Sequence, residues 1–310
     1  MLITSTNVIY KAFGLHIASE IFLPELLRIS EQVENIDVEI KMADLTTIWT
    51  EFEKTHGDFG VKENQVLFEI PNLAIFSIQN GNKILFSPMG QSKEGEIRLF
   101  LLGTCMGVIL QQRRLLPLHG SAIEINGKAY GFIGDSGAGK STLASAFINK
   151  GYRLLTDDII AVYLSENGIP LMAPSYPQQK LWQESLDNFG IKDHNYLPLF
   201  ERETKYAVPV HSQFSSEKIP LEGIFELVKN NTEQIEVIPI QGLERFHKLF
   251  YHTYRNFMIG PSGLMEWHLN TSACIVNKIN FFQLSRPNSQ FTAEELTTTV
   301  LRTIHQTVFS

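Results

Sequence analysis

At 310 residues, 44% apolar and 19% charged, the chain has the composition of a folded protein of about two domains with a sizeable core. Its net charge of −7 argues against a nucleic-acid partner, whose phosphates select a basic surface. No stretch approaches the roughly 20 apolar residues that span a bilayer, and Met1-Leu2-Ile3-Thr4-Ser5 does not open a secretion signal. With only Cys105 and Cys274, far apart, these features predict a cytoplasmic protein without a disulfide or thiolate-held zinc.

Residues 1–92 read as a smaller β-rich domain. Residues 36–41 alternate in part, and 66–70, 73–78 and 83–86 are short apolar or β-branched runs. Pro71-Asn72 and Asn80-Gly81-Asn82 mark turns between them, and Pro24 suggests a short helix within residues 22–29. A boundary near Gly90 to Lys93 leaves residues 93–310 for a second, α/β domain. Residues 94–114 have helical periodicity, with Ile97, Leu101, Cys105 and Val108 on one face, so Cys105 is expected in a core. Leu118-His119-Gly120-Ser121 then opens an apolar segment, and Asn126-Gly127 predicts a tight hairpin into a strand over residues 128–133. That hairpin would bring His119 near the end of the second strand.

Gly134-Asp135-Ser136-Gly137-Ala138-Gly139-Lys140-Ser141-Thr142 follows, a complete G-x-x-x-x-G-K-[ST] phosphate loop between a strand and a predicted helix over 140–149. The glycines allow the backbone to wrap an anion, and successive N–H groups and the helix N-terminus point at the phosphates. Lys140 would reach the β- and γ-phosphates of ATP, and the Ser141 hydroxyl would ligate Mg²⁺. Residues 153–158 read as a strand ending in Asp157-Asp158, expected beside the loop strand in a parallel sheet. One of these carboxylates could hold Mg²⁺, and the other accept the proton of an attacking hydroxyl.

Further on, residues 170–177 read as a proline-rich loop. Residues 191–210, broken by Pro198 and Pro209, read as a substrate or lid segment. Strands are expected over 221–228 and 234–240, helices over 242–255 and 292–307, and a late strand over 281–287. Lys180, Lys205, Arg255 and Arg286 are the candidates for a further cation that stabilises transferred charge. Tyr176, Trp182 and Tyr206 read as packing, and His247, His252 and Cys274 lack metal-ligand spacing.

Residues 118–162 resemble the C-terminal domain of the HPr serine kinase/phosphorylases. The resemblance rests on Leu118-His119-Gly120, the loop from Gly134 to Ser141, and Arg153-Leu154-Leu155-Thr156-Asp157-Asp158. His119 lies 21 residues before Lys140 and Asp158 lies 18 after it. It implies a P-loop kinase core, with Asp158 as general base, His119 supporting it, Ser141 on Mg²⁺, and Asp157 orienting His119 or helping to hold the metal. The family's Glu-x-Arg-Gly-x-Gly signature is absent; Ser175 to Trp182 stands there instead. Residues 10–15 with 23–26 resemble the opening of stand-alone HPr-kinase-like proteins that phosphorylate the C-terminal serine of lasso peptide precursors, and residues 98–119 also resemble that group. This implies a peptide-serine kinase; the β-rich domain is a candidate for recognising the peptide. HPr, or free serine or another small metabolite, as acceptor, a nucleotide-controlled switch, and a homo-oligomer like the hexameric HPr enzymes stay open as alternatives.

Overall fold

The computed structural model describes residues 8–31, 33–191, 196, 198–199, 202–231, 234–288 and 290–308. The chain divides into two compact units, Met1–Pro117 with Tyr254–Asn270, and Leu118–Thr253 with Thr271–Ser310. The change from β-rich to helical pattern predicts a boundary near Gly90 to Lys93. The helical segment beyond it nevertheless groups with the first unit. There Tyr254 packs on Gly107, and the Gln111 amide donates to the Tyr254 carbonyl.

In the first unit, β1 (Val8–Ala12), β2 (Leu15–Ser19), β3 (Leu27–Arg28), β4 (Val38–Met42), β5 (Phe59–Lys62), β6 (Gln65–Ile70), β7 (Ala74–Gln79) and β8 (Lys83–Pro88) form one sheet. Its order is β3-β1-β2-β4-β8-β7-β6-β5, with β4 parallel to both neighbours. The β-rich reading of this region is therefore correct. α1 (Thr46–Glu51) follows β4. No helix forms over residues 22–29. Leu23 and Leu26 are buried, and a turn between them, anchored by the Tyr10 hydroxyl on the Leu23 N–H at 3.1 Å, feeds β3 instead. The expected long helix is α2 (Glu94–Phe100) and α3 (Met106–Gln112), joined by a π-helical turn at Leu101–Cys105. Cys105 is buried as expected, and burial raises its thiol pKa well above the ordinary value.

The second unit is built on β9 (Leu116–Ile125), β10 (Lys128–Ile133), α4 (Lys140–Asn149) and β11 (Arg153–Leu164). Asn126 and Gly127 both have positive φ, 52° and 74°, as a type I′ hairpin requires, and β9 pairs antiparallel with β10. β12 (Pro170–Ala173) lies in the stretch expected as loop, and β13 (Gln178–Trp182), α5 (Gln183–Asn188), β14 (Pro198–Leu199) and β15 (Arg202–Pro209) follow it. The last elements are β16 (Ile219–Asn230), β17 (Glu236–Pro239), α6 (Glu244–Tyr251), α7 (Met265–Val276), β18 (Asn280–Pro287) and α8 (Ala293–Val308). The expected lid segment lies partly outside the described residues; β14 and β15 account for much of the rest.

The main sheet runs β10-β9-β11-β12-β16-β18-β17, with a further parallel pairing of β10 to β16. The strand of the two aspartates therefore does not lie beside the loop strand. The tight hairpin puts β9 on one edge of β10, and β16 takes the other. A core of Phe132, Leu143, Phe147, Phe225, Leu284 and Val300 joins this sheet to α4 and α8. β13, β15 and β14 form a separate small sheet. Among the described residues no helix is long and apolar enough to cross a membrane.

Gly120 holds β9 against β10. A Cβ there would lie 2.3 Å from the Phe132 carbonyl oxygen. Gly120→Ala should therefore destabilise the fold by about 1–3 kcal/mol, the usual scale for overpacking. An unchanged midpoint of urea unfolding would contradict that close approach.

Candidate active site

The phosphate loop runs from the end of β10 to the first residue of α4. Gly134 has φ +146°, and a Cβ on it would meet the Leu227 carbonyl oxygen at 2.5 Å, so only glycine fits. Gly139 serves as the N-cap of α4 at positive φ and supplies no side-chain cap. The first N–H groups of α4 thus keep their donor capacity for an anion. Lys140 is 8% exposed and turns back into the loop, where Nζ donates to the carbonyls of Gly134 at 2.9 Å and Asp135 at 3.0 Å. Burial lowers its pKa, and Lys205 adds to that effect against the opposing fields of Asp157, Asp158 and Asp135.

Asp158 sits within β11 at φ +117°, a backbone region that side-chain-bearing residues avoid. Such a conformation costs on the order of 1–3 kcal/mol and persists only where the surroundings impose it. Here the Thr156 hydroxyl braces the bend, 2.6 Å from the Ile159 carbonyl and 2.8 Å from the Ser175 hydroxyl. The bend presents the Asp158 carboxylate to two partners. Lys180 Nζ donates to Oδ2 at 2.7 Å, and His119 Nδ1 lies 3.4 Å from Oδ1. The same Nδ1 is 3.1 Å from the Asp158 carbonyl oxygen. A carbonyl can only accept, so Nδ1 carries the proton. Burial pushes the Asp158 carboxyl up, but the Lys180 charge and the His119 hydrogen bond and charge outweigh it and hold it well below the usual carboxylate range.

Asp157 has a different environment. It is 3% exposed, and its oxygens accept from the Ser121 hydroxyl and from the Lys180 backbone N–H at 2.7 Å. It therefore ties β9, β11 and β13 together. The carboxylate that faces His119 is that of Asp158. β13 also reaches α4: Gln179 accepts from the Ser145 hydroxyl at 2.9 Å and donates to the Ser141 carbonyl at 3.4 Å. Consecutive residues of one strand thus grip the loop helix and the aspartate pair.

The four candidate cations separate clearly. Lys180 pairs with Asp158. Arg286 donates from Nε to the Ala138 carbonyl at 2.9 Å and lies against Gly139, with burial lowering its pKa. Lys205, opposite Trp182 in the β13–β15 pairing, is close enough to act on Lys140. Arg255 belongs to the first unit and donates to the Thr104 hydroxyl at 3.1 Å. Within the loop, Asp135 accepts from the Tyr251 hydroxyl at 3.1 Å, and the Thr142 hydroxyl meets Ser185 at 2.8 Å.

Three residues at this end of the sheet escape a reading by motif: Glu226, Tyr251 and His252. Glu226 leaves one trace, a lone carboxylate in the otherwise apolar run Ile224-Phe225-Glu226-Leu227-Val228. It stands opposite Ile133, the last residue of β10.

Among the described residues no three His, Cys, Asp or Glu side chains form a metal cage. Mg²⁺ does not need one, because one or two carboxylates with phosphate oxygens and water complete its shell. The Ser141 hydroxyl in the first turn of α4 and the Asp157 carboxylate, two of whose lone-pair sites are used, are hard oxygen donors of that kind. The residues present fit Mg²⁺ on donor chemistry.

No family model matches the sequence. Over 134 residues the chain is 36% identical to the HPr kinase/phosphorylase of Enterococcus faecalis, covering 43% of this chain and 40% of that protein. The chain is similar to the HPr kinase/phosphorylases. The HPr kinase/phosphorylase of Limosilactobacillus reuteri is 43% identical over 53 residues, 16% of this chain and 17% of that protein. The chain thus matches less than half the length of either relative. Among solved structures, the Hpr(Ser) kinase/phosphatase from Coxiella burnetii aligns over 63% of this chain and 99% of its own, with a TM-score of 0.32 and 14% identity.

Proposed function

We propose that this protein is a cytoplasmic, ATP- and Mg²⁺-dependent kinase that transfers the γ-phosphate to a serine hydroxyl, the C-terminal serine of a lasso-type precursor peptide. The observation that carries the kinase reading is Asp158, held at a strained bend between His119 and Lys180 beside a complete phosphate loop. On nucleotide binding the Lys140 ammonium exchanges the Gly134 and Asp135 carbonyls for β- and γ-phosphate oxygens. The loop N–H groups hold the phosphates, with Arg286 beside them. Bound Mg²⁺, held by Ser141 and Asp157, would supply charge neutralisation at the phosphates. Asp158 accepts the serine proton, the serine oxygen bonds to the γ-phosphorus, and the bond from that phosphorus to the β–γ bridging oxygen breaks to release ADP. The transition state of such transfers is loose, so orientation of the hydroxyl matters more than the strength of the base. A carboxylate with a depressed pKa is compatible with that role.

The peptide acceptor rests on the resemblance of residues 10–15, 23–26 and 98–119, and residues 1–92 are the proposed recognition domain. The curated relatives favour a second acceptor, since both are named for HPr. Mass spectrometry after incubation with ATP and Mg²⁺ separates the two. With precursor peptide, HPr and free serine offered together, one phosphate on the terminal serine of the peptide is the expected product. Phosphate on HPr or serine alone would keep the chemistry and overturn the acceptor.

A further inference from the structure

The C-terminal end of α6 grips the candidate site at three points. Tyr251 donates its hydroxyl to Asp135 in the phosphate loop at 3.1 Å. The carbonyl of His252, the C-cap of α6, accepts the backbone N–H of His119 at 2.8 Å, and Leu118 and Thr253 form a bridge next to it. The His252 imidazole, in a residue only 5% exposed, lies 2.9 Å from Glu226 Oε1, and Lys248 of α6 lies 2.9 Å from Oε2. Glu226 is itself 4% exposed. Burial pushes its carboxyl pKa up, but His252 and Lys248 outweigh this and hold it below the ordinary value, so it is an ionised anchor at neutral pH.

A buried carboxylate persists only when paired, and removing one partner is expensive. Nothing in the transfer chemistry uses Glu226 or His252. Their pair does fix the peptide after α6 to the interior of β16, level with the end of β10. That same peptide carries the carbonyl that holds His119. We propose that His252, clamped by Glu226, is a positioning residue that sets His119, and through it Asp158, against the phosphate loop. This rests on the kinase reading of the site. The chain of contacts is continuous: Glu226 to the His252 ring, His252 carbonyl to the His119 N–H, His119 Nδ1 to Asp158. These contacts couple the His252 ring to His119 and Asp158, so loosening the first should let the last drift. A displacement of about 1 Å at a reacting group can cost on the order of a hundredfold in rate.

The test compares His252→Ala, His252→Gln and Glu226→Gln with the full-length wild type. It measures the phosphate-transfer rate, ATP affinity by calorimetry, and the His119 imidazole resonances by NMR at one fixed pH. His252→Ala should lower kcat by about ten- to a hundredfold, leave ATP affinity within about twofold and shift the His119 resonances. His252→Gln keeps a donor for Glu226 and should recover most of the rate. Unchanged kcat and unmoved His119 resonances in a folded His252→Ala would overturn the proposal. So would an equal loss of rate and ATP affinity in all three variants, the mark of a merely structural pair. If His252→Ala does not fold, Glu226→Gln carries the same comparison. Should the wild type transfer no phosphate, the kinase reading fails, and the His119 resonances still decide whether His252 positions that ring.

Discussion

Asp158→Asn should lower the transfer rate by about 10²- to 10⁴-fold, the usual contribution of a positioned general base, while ATP binding persists. The substitution is nearly isosteric, so asparagine meets the same backbone demand as aspartate and the bend at φ +117° should be retained. On the kinase reading it removes the proposed acceptor for the serine proton, and it removes the counter-charge for Lys180. The Lys180 side chain is 10% exposed, so it will not be silent when its carboxylate disappears. A buried charged group left with a weaker partner costs about 1–3 kcal/mol. The folded-state carboxyl of Asp158 is depressed, so its contribution to stability is present above the unfolded value near 3.9 and lost as pH falls through the folded one. Asp158→Asn should therefore be less stable at neutral pH and lose less stability on acidification. Circular dichroism must accompany the rate assay. Transfer at the wild-type rate in a folded Asp158→Asn would remove Asp158 from the role of base.

Lys140→Ala should weaken both ATP binding and transfer. The lysine contributes a charge-assisted contact worth about 1.5–3 kcal/mol, or roughly ten- to a hundredfold in affinity, and the rate should fall further because negative charge shifts toward the bridging oxygen. The free protein behaves differently. Lys140 is buried with a pKa lowered by burial, and its ammonium is occupied with loop carbonyls. Removing it relieves that desolvation, so the melting temperature of the free protein should change little, while stabilisation by added ATP should shrink. Unchanged ATP affinity by calorimetry would contradict the loop assignment.

The strand and helix that flank the G-x-x-x-x-G-K-[ST] segment were legible in the sequence, and both fall where that motif places them. The hairpin that delivers His119 was legible because Asn126-Gly127 is the local chemistry of a type I′ turn. The neighbour of the aspartate strand was not. Strand order is decided by long-range pairing, and the hairpin that brings β9 to β10 occupies the edge where β11 was expected. The bend at Asp158 left no sequence signal, because it is imposed by Thr156, Ser175 and Lys180 rather than by a glycine. Lys180 could be nominated from the sequence but not chosen, since its contact to Asp158 depends on β13, a strand hidden in a segment flanked by proline. The pair of Glu226 and His252 spans 26 residues and joins an apolar strand to a helix end, so no local pattern could announce it. The change of unit after Pro117 was masked likewise, because Tyr254 returns from far along the chain to pack on Gly107.

The central claim is that this site moves a γ-phosphate to an acceptor hydroxyl rather than to water. The most direct measurement uses ATP labelled with ¹⁸O on the γ-phosphate, with Mg²⁺ and the three acceptors, read by mass spectrometry of every product. Label on a phosphoserine, abolished by Asp158→Asn, is the result the kinase reading predicts. Label recovered only in free phosphate would contradict it and assign the loop to a hydrolysing switch.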